Sequence, residues 1–299
     1  MRLDPRMLRQ FLAVCREGTI SGAAKAEHVS QPSISMAMNQ LERVLEVKLF
    51  QRSSKGMILT SAGKALKLKA MSVENLLQTA QHEIRLLAEQ VNGPLHIGGT
   101  PGALSSVMGL VMSSFCEMYP TFNLQLTECD EDNAHHLLRT YKLDIAILTT
   151  GMASPPEEFC EETLYSDAFS LVVGQANSHL PNEVKLESLS TMRWLMPDKV
   201  GGFRHQLNAL FLGHYTSLPK NIVVTDSVLA TKQILINTDY IALLPTELVK
   251  TELEHGLLRA INIANVTANR KVGLLWLAER QMSPFAQAFI DHVSHFTYR

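Results

Sequence analysis

The chain has 299 residues, 46% hydrophobic and 19% charged, which at about 100–200 residues per domain means two or three folded domains and excludes wholesale disorder. Its longest apolar runs, Val272–Ala278 and Val107–Met112, fall far short of the ~18 residues of a membrane span. Arg2, Asp4, Arg6, Arg9 and Arg16 interrupt any signal-peptide core, so a cytoplasmic protein with no membrane partner is expected.

The net charge of −2 conceals a split: residues 1–70 carry 12 Lys and Arg against 5 Asp and Glu, residues 71–92 carry 1 against 3, and residues 93–299 carry 14 against 21. A basic head on an acidic body directs a polyanion to the head, since nucleic-acid affinity rests mainly on neutralised phosphates.

From the N-terminus, Leu8, Phe11, Leu12 and Cys15 recur at helical spacing after Pro5, and Gly18 stops the segment. Ser21 precedes a small-residue run, Gly22 to Ala26, read as a short second helix. Ser30 is the expected cap of a third helix with Pro32 in its first turn; Ile34, Met38, Leu41 and Leu45 form its inner face. Gln31, Ser33, Ser35, Met36, Asn39 and Arg43 remain for the outer face. This succession is a helix-turn-helix. Between Val47 and Leu59, short apolar pieces flank Arg52, Lys55 and Gly56, which suits a two-stranded wing with a basic tip.

Residues 60–92 contain no proline, and Leu66, Val73, Leu76, Ala80, Ile84, Leu87 and Val91 lie along one stripe. A helix of about 30 residues, roughly 45 Å long, with one apolar stripe and an otherwise polar surface predicts a two-helix seam. After Asn92-Gly93-Pro94 the texture changes to strands alternating with helices, the pattern of a mostly parallel α/β sheet. Strands are expected at Leu95–Gly98, Asn123–Glu128, Leu143–Leu148, Ala168–Val173, Trp194–Met196, Ile222–Val224, Tyr240–Leu244 and Lys271–Leu277. Helices are expected at Gly102–Met118, His135–Tyr141, Gly202–His214, Ser227–Asn237 and Ser283–Phe296. Crossings near Tyr165–Phe169 and Asn265–Lys271 would join two lobes, the last strand returning to the first.

The N-terminal segment resembles the LysR-type transcriptional regulators. The resemblance rests on Phe11, Val14, Gly18-Thr19-Ile20-Ser21, Ala23-Ala24, Ser30 to Ser35, Leu41-Glu42, Leu49-Phe50-Gln51-Arg52 and Leu59 to Gly63. The body resembles that family's effector domain through Leu143 to Ile147 and Ile241 to Pro245. The resemblance implies a winged helix-turn-helix (residues 1–59), a linker and dimerisation helix (60–92), and a periplasmic-binding-protein-like effector domain (93–299), with one lobe from 93–166 and 270–299 and the other from 167–269. Two positions depart from the pattern: Glu27 stands where the family has an apolar residue, and Glu46 where a glycine turns the chain toward the wing. An unpaired buried carboxylate costs several kcal/mol, so Glu27 must be exposed, paired or protonated.

Gln31, Ser33 and Asn39 can donate and accept at base edges, with Ser35 and Met36 beside them and Pro32 admitting close approach. Arg43, Arg52 and Lys55 suit phosphates or the minor groove. In the body, Thr100-Pro101-Gly102 opens a helix at the carboxyl end of a strand, where ligands of open α/β sheets bind. Cys129, Thr149, Thr150, Pro197, Phe203, Arg204, Thr225, Ser227 and Tyr240 occupy comparable turns. Arg204 and the hydroxyls favour a carboxylate effector.

The cysteines at 15, 116, 129 and 160 form no CxxC, which argues against zinc and against a disulfide framework. With no nucleophile elbow, P-loop or HExxH, and no ligand set around His135-His136, neither catalysis nor a metal or cofactor is expected. The expected partners are double-stranded DNA with a pseudo-palindromic site, a small organic-acid effector, further copies in a homodimer or homotetramer, and RNA polymerase. Two other readings stay open: a solute-binding or enzymatic α/β protein with a basic assembly head, and a regulator that senses oxidants through Cys129.

Overall fold

The computed structural model describes residues 3–53, 56–151, 155–197, 208, 211, 219–225, 227–264 and 269–297. They divide into two compact units, Met1–Pro94 with His136–Leu143, and Leu95–His135 with Asp144–Arg299.

In the first unit, α1 (Pro5–Glu17) starts at Asp4, whose carboxylate accepts from the Arg6 N–H, and stops at left-handed Gly18. The short α2 (Ile20–Ala26) is capped by Thr19, whose hydroxyl accepts from the Gly22 N–H at 3.0 Å. The cap is therefore Thr19, and Ser21 lies inside the first turn, because Thr19 is the last extended residue before the helix. The third helix, α3 (Gln31–Leu45), begins at Ser30, whose Oγ accepts from the Ser33 N–H. Strands β1 (Phe50–Ser53) and β2 (Gly56–Leu59) pair antiparallel as the wing. Phe11, Ile34 and Leu41 are fully buried and Leu49 nearly so, and the Phe11 and Phe50 rings lie 5.3 Å apart.

Both departures from the family pattern have local explanations. Glu27 is paired: its Oε2 lies 3.0 Å from Arg9 Nε and its Oε1 3.6 Å from Arg16 Nη2. Glu46 ends α3 at φ 56° and ψ 25°, the left-handed geometry that a glycine adopts without a Cβ penalty.

The root of the wing is held from two sides. Glu42 on α3 accepts from Lys48 Nζ at 2.5 Å and from the Leu49 N–H at 2.9 Å. Thr60, the cap of α4 (Ser61–Ala88), donates its hydroxyl to the Lys48 carbonyl at 2.7 Å and accepts from the Gly63 N–H at 3.0 Å. A Cβ at Gly63 would sit 2.2 Å from the Leu49 carbonyl oxygen, so only glycine lets helix and wing root touch here.

The helix α4 ends at Ala88, short of the expected Val91, and its apolar stripe has two fates. Leu66, Ala70, Met71 and Val73 pack into the core of the head. Beyond them Leu76, Leu77, Ile84 and Leu87 are exposed at 43%, 51%, 67% and 62%. Between these regions, within the same unit, the Ser72 hydroxyl donates to the Arg139 carbonyl at 2.9 Å and the Asn75 amide to the Thr140 carbonyl at 2.7 Å.

The α/β part runs β3 (Asn92–Gly99), α5 (Pro101–Met118), β4 (Phe122–Glu128), α6 (Glu131–Arg139), β5 (Ile145–Thr150), β6 (Phe159–Val173), β7 (Glu183–Val184), β8 (Arg193–Met196), β9 (Asn221–Val224), α7 (Val228–Asn237), β10 (Ile241–Pro245), α8 (Lys250–Glu254), β11 (Arg259–Ile263), β12 (Asn269–Leu277) and α9 (Pro284–Thr297). Strand order is β4-β3-β5-β12-β6-β10-β8-β9, with β11 paired to β6 and to β7. The last strand returns to the first sheet as expected, pairing β5. The sheet is mixed rather than mostly parallel. Strands β3 and β5, and β8 with β9 and β10, are parallel, whereas β12 runs against β5 and β6, and β6 against β10 and β11.

The segment expected to cross between lobes near Tyr165–Phe169 is the middle of one continuous 15-residue strand, β6. Its first half pairs with β12 and its second with β10 and β11, so one strand joins the two halves of the sheet. The helix expected at Gly202–His214 lies outside the described residues except for Asn208 and Phe211, the latter buried with its ring 5.2 Å from that of Trp194. Residues 265–268 of the second expected crossing also lie outside them.

Candidate functional site

In the head, the buried residues of α3 are Ile34, Ala37, Met38 and Leu41. That leaves Gln31, Pro32, Met36, Asn39, Gln40 and Arg43 exposed, with Ser33 and Ser35 half-buried at the margins. Pro32, Met36, Asn39 and Arg43 follow the 4-3-4 spacing of one helical stripe. The face combines amide, hydroxyl and guanidinium groups with one large apolar side chain. Arg52 lies on β1 at the wing, and Lys55 lies outside the described residues.

In the body, Thr100 precedes α5 as its cap yet makes no side-chain capping bond. Its Oγ1 is buried with no hydrogen-bond partner among the described residues. The Thr100 N–H donates to the Ile147 carbonyl at 3.3 Å and the Cys129 N–H to the Gly99 carbonyl at 2.9 Å. The carboxyl ends of β3, β4 and β5 therefore gather Thr100, Pro101, Gly102, Cys129 and Thr149 at one edge. Thr150 is buried there, its Oγ1 3.0 Å from that of Thr163. Gly99 admits this approach because a Cβ would meet the Ile147 carbonyl oxygen at 2.2 Å.

A second group forms around β8 and β9. The Thr225 N–H donates to the Met196 carbonyl at 3.0 Å, beside Pro197, and the Ser227 hydroxyl caps α7 by accepting from the Ala230 N–H at 3.2 Å. Strand directions relate the two groups. Strand β5 runs parallel to β6, since both oppose β12, whereas β8, β9 and β10 run against β6. Lys271 lies between Thr150 and Ser166, and Pro245 pairs with Phe169. The carboxyl ends of β5 and β10 thus approach the same short stretch of β6 from opposite directions.

Tyr240 is not part of this gathering. It precedes the first residue of β10, with the Arg193 guanidinium 6.0 Å from its ring, and because β10 is parallel to β8 that position is the amino-end edge. Phe203 and Arg204 lie outside the described residues. The sequence reading missed Thr163 and Tyr165, which β6 brings to the stretch; the Tyr165 hydroxyl is hydrogen-bonded to Ser106 on α5. Their alternation about the buried Leu164 was the available signal, hidden by the acidic Glu161, Glu162 and Asp167.

Burial pushes the Cys129 thiol up, and the Asp130 charge adds to this, outweighing the Gly99 hydrogen bond. Burial likewise pushes Cys15 up to about 11, while Cys116 is exposed. Among the described residues no group of three His, Cys, Asp or Glu side chains could hold a metal ion, and no helix is long and apolar enough to cross a membrane.

Comparison with known proteins covers both parts. The profile of the bacterial regulatory helix-turn-helix protein, lysR family, matches residues 5–64, and that of the LysR substrate binding domain matches residues 88–297. The chain is 25% identical over 295 residues to the uncharacterized HTH-type transcriptional regulator YdcI of Escherichia coli K12, covering 98% of this chain and 95% of that protein. It is 26% identical to the regulator TdcA of the same organism, covering 80% and 76%. The crystal structure of CbnR, a LysR family transcriptional regulator, superposes with a TM-score of 0.71 at 21% identity, over 99% of each chain. The chain belongs to the LysR family of transcriptional regulators, with a helix-turn-helix DNA-binding head and an effector-binding domain, and not to a family of enzymes.

Proposed function

We propose that this regulator reads a pseudo-palindromic DNA site as a homodimer or homotetramer and that a small carboxylate bound between the lobes of residues 93–299 alters its output. Gln31, Ser33, Ser35, Met36 and Asn39 read base edges, Pro32 permits the close approach, and Arg43, Arg52 and Lys55 hold phosphates. The exposed Leu76, Leu77, Ile84 and Leu87 of α4 support pairing of linker helices, and two-fold pairing supports a two-fold operator. RNA polymerase is the further partner through which such a change would act.

The effector reading rests on one observation: the buried Thr100 hydroxyl, without a partner among the described residues, at the start of an 18-residue helix. A buried hydroxyl without a partner costs free energy, and helix N-termini favour anions, so a carboxylate satisfies both. The ligand changes output only through unequal affinity for two arrangements of the lobes.

A gel-shift with DNA from around the gene tests the DNA reading: sequence-selective retardation is expected, weakened by Gln31→Ala and Asn39→Ala. Thermal shift of the full-length protein against a carboxylate panel tests the effector reading. The active acid should raise the melting temperature of the wild type but not of Thr100→Val. If every stabilising compound lacks an anionic group, the carboxylate assignment falls while the regulator reading stands.

A further inference from the structure

The outer face of α3 has one side chain that does not fit a polar surface. Met36 is 66% exposed, between Pro32 and Gln40 one turn to either side and with Asn39 and Arg43 on the same stripe. Of the other apolar residues of the helix, Ile34, Ala37, Met38, Leu41 and the half-buried Leu45 serve the core, and Val44 is half-buried. Met36 therefore stands outside the core of the head, and in the free protein it holds a largely exposed apolar side chain on the outer face of α3.

We infer that Met36 is a specificity-determining residue that reads the 5-methyl group of a thymine in the major groove. This rests on the reading of α3 as the base-contacting helix. A thioether is neither a useful donor nor a strong acceptor, so it cannot exchange hydrogen bonds with purine N7, O6 or the exocyclic amines. The only apolar group on the major-groove edge of an unmodified base pair is the thymine methyl. Met side chains are unbranched and adaptable, suited to covering one methyl without a preformed pocket. Asn39, three residues on and adjacent on the helix surface, carries the amide that pairs with adenine N6 and N7. The two side chains together specify an A·T-containing element in each half-site.

The test uses full-length protein and duplexes enriched by it from a randomised double-stranded pool. In the best duplex, each thymidine is replaced in turn by deoxyuridine, which removes the methyl and nothing else. At one thymidine per half-site the replacement should weaken wild-type binding about fourfold, the worth of one buried methyl. Met36→Ala should bind the parent duplex correspondingly less well and be indifferent to that replacement, while Met36→Leu should keep the dependence. Circular dichroism and thermal unfolding check that the variants fold, and Met36→Gln serves as the second methyl-blind variant. If no deoxyuridine substitution affects the wild type, or if wild type and Met36→Ala lose affinity equally at every position, the assignment is wrong while base reading by α3 stands. If the pool yields no enriched sequence, sequence reading by the head falls, and Met36 with it.

Discussion

Glu27 and Arg9 are joined at 3.0 Å across the packing of α2 on α1, and Arg16, two turns along α1, approaches the second carboxylate oxygen at 3.6 Å. The carboxylate is 12% exposed and the arginines 60% and 54%, so the pair is screened on one side and worth far less than a buried one. Glu27→Ala should destabilise the head by roughly 1 kcal/mol, and the loss should shrink in high salt. Glu27→Leu, which restores the apolar character usual in the family, should be close to neutral. Both tryptophans, Trp194 and Trp276, lie outside the head, so fluorescence cannot report this; amide exchange along α1 can. Equal loss in both variants would mean that pairing, and not filled volume, holds this contact.

Glu46 bears the cost of a left-handed residue with a side chain, about 1–2 kcal/mol. Glycine there relieves that cost but gives back part of it as unfolded-chain freedom. Glu46→Gly should therefore stabilise the head by about 0.5–1 kcal/mol, read as slower amide exchange at Val47 and in the last turn of α3. No gain would show that the geometry at Glu46 is relaxed.

The contacts of Glu42 make the wing sensitive to acid. Burial alone would raise its carboxyl, but hydrogen bonds from Lys48 and from the Leu49 and Phe50 N–H groups outweigh it and hold the group below the usual glutamate value. A depressed folded value means that the stabilisation is fully present above the unfolded glutamate pKa of about 4.3 and is lost as pH falls through the folded one. Leu49 and Phe50 amide protection should fall as the solution is acidified below about pH 4. Glu42→Gln should lower protection at neutral pH and flatten the acid response. An unchanged acid profile in Glu42→Gln would assign it to another group.

Oxidant sensing through Cys129 has the wrong physical setting. Its thiol is buried and raised, and thiolate, not thiol, reacts. Alkylation by iodoacetamide at neutral pH should modify the exposed Cys116 first, with Cys129 and Cys15 last, as resolved by peptide mass spectrometry. Early loss of Cys129 would revive the oxidant reading.

The head was legible because its signals are local. Gly18 as a stop and Ser30-Pro32 as a start each act within one turn of helix, and the buried face of α3 follows from spacing alone. The α2 cap shows the limit: Thr19 and Ser21 carry equivalent hydroxyls, and only the backbone angles choose between them. In the body, what was lost depends on long-range pairing. The first half of β6 carries Glu161, Glu162 and Asp167, yet it pairs with β12 along its length, because an acidic strand is tolerated wherever one face is wet. The position of Tyr240 depends on the direction of β10 relative to β8, which no local pattern encodes. The gathering of Thr100, Cys129 and Thr149 was legible because all three lie at the carboxyl ends of strands, whereas Thr163 and Tyr165 come from the first half of β6, which lay outside the expected Ala168–Val173 strand.

The contact between Gly63 and the Leu49 carbonyl makes the start of α4 and the root of the wing one rigid elbow. From that elbow the 28 residues of α4 extend about 42 Å at 1.5 Å per residue. Its first half, as far as Val73, is packed into the core of the head, so the wing root and that half of the helix form one piece. A side chain at position 63 would push the Leu49 carbonyl away and turn this welded joint into a loose one, even where the head still folds.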